Sequence, residues 1–113
     1  MRFLFVGDIV GTPGLAAVKQ IVPALRKSDG LAFVVANAEN ATNGSGLTPR
    51  DYRQLRAAGV DAITLGDHIY KKYDIADVLR AETEPVCKPA NYPPAAPGRD
   101  HVLFTVGEVR VAV

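Results

Sequence analysis

Three short apolar runs, Phe3 to Val6, Leu31 to Ala36 and Ala62 to Leu65, each end abruptly in glycine or asparagine with an acid one or two residues further on. Continuous apolar runs of this length, bounded by turn residues, are the pattern of strands buried on both faces in a parallel sheet. The stretches between them carry helical spacing, so the chain reads strand, helix, strand, helix, strand, helix. That order predicts an α/β fold whose parallel strands are joined by right-handed crossovers.

The helices can be placed from their ends. Thr12 and Pro13 form a cap and first-turn signature, and Leu15, Val18, Ile21 and Leu25 then recur at helical spacing until Ser28-Asp29-Gly30 stops them. Pro23 predicts a bend, because it removes one backbone hydrogen bond. Asn37 to Gly46 is a polar loop, and Thr48, Pro49 and Asp51 open a second helix in the manner of a capping box. Asp74 is the expected cap of a third helix reaching about Arg80.

Beyond it, prolines at 85, 89, 93, 94 and 97 mark a rigid surface loop around one short strand at Val86 to Pro89. Val102 to Val106 and Val109 to Val113, joined by Gly107-Glu108, predict a hairpin with a primed turn.

A chain of 113 residues, 48% of them hydrophobic, is the size of one domain. Thirteen basic residues against twelve acidic ones leave a net charge of +1, which offers no global attraction for nucleic acid or an anionic membrane. Cys87 is the sole cysteine, so an internal disulfide is excluded, as is a cysteine-built zinc site. The opening apolar run is cut short by Gly7 and Asp8, and no stretch approaches the length that spans a bilayer. These features lead to the expectation of a cytoplasmic protein.

In open parallel sheets, ligands bind outside the carboxyl ends of the strands. Here those ends carry Asp8, then Glu39-Asn40, then Asp67-His68. A surface acid after a strand often only caps the next helix, but Thr12, Thr48 and Asp74 are better placed for that work. Three carboxylates gathered at one edge repel each other unless a cation offsets them. Oxygen and imidazole donors suit Mg, Mn, Fe or Zn, and a pair of such ions can clamp both oxygens of a phosphoryl transfer. His68, next to Asp67, is placed to donate a proton to a leaving oxygen. His101 has no such company and reads as structural or exposed. Gly7, Gly11 and Gly14 match a dinucleotide fingerprint only loosely, and no lysine follows them as a phosphate loop requires.

Taken together, FVGDIVGTPG, NAENATNGSG, AGVDAITLGDH and KPANYP resemble the YmdB-like branch of the calcineurin-like metallophosphoesterases. The resemblance implies a site with two divalent ions hydrolysing phosphodiesters, 2′,3′-cyclic nucleotides among them. By motif it implies that Asp8 binds one ion, Glu39 bridges both, Asn40 lies close to the metals or phosphate, Asp67 binds the second ion, and His68 is the proton donor. Where the family reads Gly-Asn-His this chain reads Gly-Asp-His, and the added charge should strengthen metal binding while weakening attraction for phosphate.

Family members run to roughly twice this length, so the resemblance also implies half of a four-layer α/β/β/α sandwich. On that view the chain is a single truncated domain over 1–113, lacking the C-terminal half and its histidines and weakly active at most. Two other functions fit the sequence. One is a nucleotide-binding module without catalysis, using the Gly7 to Gly14 turn. The other is an assembly or regulatory protein that forms a homo-oligomer through an unpaired strand edge or an exchanged hairpin.

Overall fold

The computed structural model describes residues 1–113. It contains β1 (Arg2–Val6), α1 (Gly11–Asp29), β2 (Leu31–Asn37), α2 (Pro49–Ala57), β3 (Ala62–Thr64), α3 (Ile75–Arg80), β4 (Val86–Cys87), β5 (Leu103–Val106) and β6 (Val109–Ala112). The first four strands form one parallel sheet in the order β1-β2-β3-β4, and β5 and β6 form a separate antiparallel hairpin. The expected α/β class, parallel core and hairpin are all present.

Strand order that advances in one direction, with right-handed crossovers throughout, puts every crossover helix on the same face of the sheet. The core follows that rule. Leu15, Val18 and Val22 of α1, Leu55 of α2 and Ile75 and Leu79 of α3 share one buried cluster with Val34, Ala36, Ile63 and Val86 of the strands. Strand alternation sends Phe33, Val35, Ala62 and Cys87 to the opposite face, where Phe104, Val106 and Val111 of the hairpin pack against them. The Phe33 and Phe104 rings meet edge to face at 4.7 Å. The layers are therefore helices, sheet and hairpin.

The hairpin turn places Gly107 at φ 62, with Glu108 outside the positive-φ region, the pattern of a type II′ turn with glycine first. Val102 and Val113 extend the pairing by exchanging both backbone hydrogen bonds, at 2.9 and 3.0 Å. The second helix starts as its sequence indicates, with Thr48 accepting from the Asp51 N–H and Pro49 in the first turn. Gly30 closes α1 in the left-handed conformation, φ 61.

Three expectations need correction. β1, an edge strand, is not buried on both faces: Leu4 and Val6 pack on the helix-side core, while Phe3 and Phe5, on the hairpin side beside Phe33 and Val35, stay 50% and 68% exposed. Thr12 does not cap α1, which begins at Gly11 with Val10 in the cap position and no side-chain cap bond. Tertiary bonds do that work instead: Ile9 N–H donates to the Asn37 carbonyl at 3.1 Å and Gly11 N–H to the Asn40 carbonyl at 3.0 Å. Asp74 does occupy the cap position of α3, but in helical conformation and without a side-chain bond. Pro23, where the sequence predicts a bend, lies inside the continuous helix α1.

Burial pushes the Cys87 thiol above its usual range. Cys87 is thus expected to resist Ellman's reagent in the folded protein and to react once urea unfolds it; rapid reaction without denaturant would contradict the packing of the hairpin over β4.

Candidate metal centre

Strand register brings the polar ends of the first three strands level. Val6 lies opposite Ala36, and Asn37 opposite Thr64. Ala38 N–H then donates to the Thr64 carbonyl at 3.1 Å, tying the start of the Glu39 loop to the end of β3. Glu39 and the Gly66-Asp67-His68 turn consequently face each other.

Glu39, Asp67 and His68 place one donor atom each within 4.8 Å of one another. The Glu39 carboxylate is held from two sides: His68 N–H donates to Oε2 at 3.2 Å, and the Asn37 amide to Oε1 at 3.4 Å. Asp8 lies outside that group and joins it through Asn40. The Asn40 Nδ2 donates to Asp8 Oδ1 at 2.9 Å, while its Oδ1 meets His68 Nδ1 in a short hydrogen bond.

A carboxylate only accepts, so Asp8 turns the Asn40 amide nitrogen toward itself and the amide oxygen toward the ring. His68 Nδ1 must therefore carry a proton, leaving Nε2 as the nitrogen free for chemistry. That atom faces Asp67 Oδ2 at 3.7 Å. Asp67 is open to solvent, with its side chain 86% exposed, and His68 is partly covered at 35%.

Two residues belong here that sequence reasoning passed over. Gly66 is required by proximity, since a Cβ on it would sit 2.5 Å from Glu39 Cδ and closer still to both carboxylate oxygens. Asn37 Oδ1 is buried beside Glu39 with no hydrogen-bond partner. Asn37 had a sequence signal in its position two residues before Glu39 at the strand end; the clearance over Gly66 had none.

Hard oxygen donors plus one imidazole, a carboxylate seated on a glycine, and an orphaned buried carbonyl oxygen together fit a divalent cation such as Mn, Fe, Mg or Zn. His101 stands apart, exposed and paired with Asp100 at 2.6 Å.

The sequence model of the YmdB-like protein family matches residues 4–113. The chain belongs to the YmdB-like family. A 2′,3′-cyclic-nucleotide 2′-phosphodiesterase of Bacillus subtilis (strain 168) is 42% identical to it over 99 residues, covering 88% of this chain and 37% of that protein. The crystal structure of a hypothetical protein from Thermus thermophilus superposes with a TM-score of 0.91 at 44% identity, covering 99% of this chain and 43% of the other. A structure described as a novel phosphatase, from Mycoplasma pneumoniae, gives a TM-score of 0.88 at 29% identity, covering 99% and 41%. This YmdB-like chain thus spans about two fifths of the length of these relatives. No helix in it is long and apolar enough to cross a membrane.

Proposed function

We propose that the chain supplies Asp8, Glu39, Asn40, Asp67 and His68 to a two-metal centre that hydrolyses phosphodiesters, with 2′,3′-cyclic nucleotides as the substrate class. The observation that carries this reading is the convergence of Glu39, Asp67 and His68 donor atoms within 4.8 Å, on a carboxylate that Gly66 leaves room for. The Bacillus subtilis relative, a 2′,3′-cyclic-nucleotide 2′-phosphodiesterase, supports the substrate class.

Asp8 lies outside the tight group while Glu39 lies inside it, which favours two ion positions over one, with Glu39 shared between them. Asp8 would hold the first ion and Asp67 the second, with Asn40 beside the first. Bound ions would supply Lewis-acid polarisation of the phosphoryl oxygens and offset the carboxylate charge.

The residues themselves do the rest. Asn40, aimed by Asp8, holds the His68 Nδ1–H, so that Nε2 is the nitrogen that takes up a second proton and, from the resulting imidazolium, passes it to the leaving oxygen. His68 N–H and Asn37 fix the Glu39 carboxylate. Five side chains fall short of two full coordination shells, so water, substrate or further polypeptide must complete them. The reading carries a cytoplasmic setting with it.

Calorimetric titration of residues 1–113 with Mn²⁺ is expected to show saturable binding. EDTA is expected to abolish hydrolysis of 2′,3′-cyclic AMP by protein containing these residues. Failure to take up Mn²⁺ would end the metal reading; undiminished hydrolysis in EDTA would end the catalytic one.

A further inference from the structure

The loop from Ala38 to Leu47 carries Glu39 and Asn40 near its start and closes on itself. Ala41 N–H donates to the Ala38 carbonyl at 3.2 Å, Thr42 N–H to the Gly46 carbonyl at 2.9 Å, and Gly46 N–H returns to the Glu39 carbonyl at 2.5 Å. The loop is also tied to α2, because the buried Thr42 hydroxyl donates to Asp51 Oδ2 at 2.6 Å and accepts from Thr48 N–H at 3.0 Å. Gly46 therefore cannot shift without carrying the Glu39 backbone with it.

The segment that follows β3 is closed in the same way. Ile69 N–H donates to the Gly66 carbonyl at 3.1 Å and Lys71 N–H to the His68 carbonyl at 3.0 Å, with Ile69 fully buried. Two bonds join this turn to the Glu39 loop: His68 N–H to Glu39 Oε2 at 3.2 Å, and the short bond between His68 Nδ1 and Asn40 Oδ1.

Gly46 is a further point where the two pieces touch. It is buried at φ 87, and a Cβ on it would lie 2.8 Å from Lys72 Cγ, 3.0 Å from Lys72 N and 3.1 Å from Lys71 Cβ. The lysine stem can swing aside, but the Lys72 backbone nitrogen moves only with the turn that holds His68. Close packing passes such a displacement on. Gly44, in the same loop, has a similar φ of 82, yet nothing lies within 4 Å of its Cβ position, and neither Asn43 nor Gly44 takes part in a backbone–backbone hydrogen bond. The two glycines thus separate the effects of a side chain: left-handed strain, common to both, and crowding, present at Gly46 alone.

We infer that Gly46 is a positioning residue of the metal centre, its missing side chain setting the separation at which Glu39 and Asn40 reach His68. The inference rests on the metal reading of that centre, but the spacing can be read without any metal. Amide hydrogen exchange at His68 reports its bond to Glu39, and Mn²⁺ calorimetry reports the use of that bond. Gly46→Ala is expected to speed exchange at His68 about tenfold or more, as loss of one hydrogen bond does, and to weaken Mn²⁺ binding about tenfold or more. Gly44→Ala is expected to leave both readouts at the parent's level, although strain lowers the melting temperature of each variant.

Circular dichroism confirms the fold of each protein. Should Gly46→Ala not fold, the double variant Gly46→Ala/Lys72→Ala, which removes the nearest crowding atom, takes its place. The inference is overturned if the folded Gly46 variant keeps the parent's exchange rate at His68, or if Gly44→Ala changes the two readouts as much as Gly46→Ala does. Faster exchange at His68 in a protein whose parent takes up no Mn²⁺ would leave the spacing role standing and remove the metal reading.

Discussion

Gly66→Ala is expected to weaken Mn²⁺ binding about ten- to hundredfold while leaving the fold intact, the range seen when the groups that orient metal ligands are disturbed. The glycine lies outside the positive-φ region, so alanine meets no left-handed backbone penalty there. Space is what it lacks. A Cβ would fall 2.5 Å from Glu39 Cδ, and the carboxylate would have to leave its bonds to His68 N–H and Asn37. Calorimetry alongside far-ultraviolet dichroism checks both halves; Mn²⁺ affinity equal to the parent's would show that the Glu39 position does not set the site.

Ile63→Ala is expected to reduce stability by about 3–4 kcal/mol, as large-to-small changes in well-packed cores do. A domain of this kind has roughly 5–15 kcal/mol in total. Ile63 is fully buried on β3, which is only three residues long, and it pairs with Ala36 on one side and Val86 on the other. The methyl groups lost face α2 and α3, which cannot close over the gap without shifting the strand that leads into Asp67 and His68. Urea denaturation gives the loss directly; a change under about 1 kcal/mol would mean that the layer repacks freely.

Much of the architecture could be read before any coordinates because local signals agreed with tertiary demands. Apolar runs ending in glycine or asparagine located the strands, Thr48 and Pro49 set the start of α2, and Gly107 set the hairpin turn. The exposure of Phe3 and Phe5 could not be read, because how far the hairpin covers the sheet is settled by tertiary packing, and an apolar run covered on one face looks like one covered on both. The start of α1 escaped for a related reason: carbonyls of Asn37 and Asn40, distant in sequence, replace the side-chain cap that Thr12 suggested.

At the site, strand-end logic identified Asp8, Glu39, Asp67 and His68 as candidates, and the structure brings the last three together, with Asp8 linked through Asn40. The Asn40 amide joining an acid to an imidazole was not legible from residue types, nor was the orphaned oxygen of Asn37. Both depend on side-chain orientation.

The arrangement of the sheet also bears on how the molecule is made. Because each of the four parallel strands hydrogen-bonds only to its predecessor and successor, no late segment has to thread between two early ones. A nascent polypeptide leaving the ribosome can therefore zip its strands together one after another, each new crossover helix covering the pairing just formed. Each pairing still closes a long loop, Phe3 to Phe33, Val35 to Ala62 and Ile63 to Val86, so it forms more slowly than a helix or a hairpin. The hairpin follows β4 along the chain, and until it folds over Phe33 and Val35 that side of the sheet is the surface a chaperone would find.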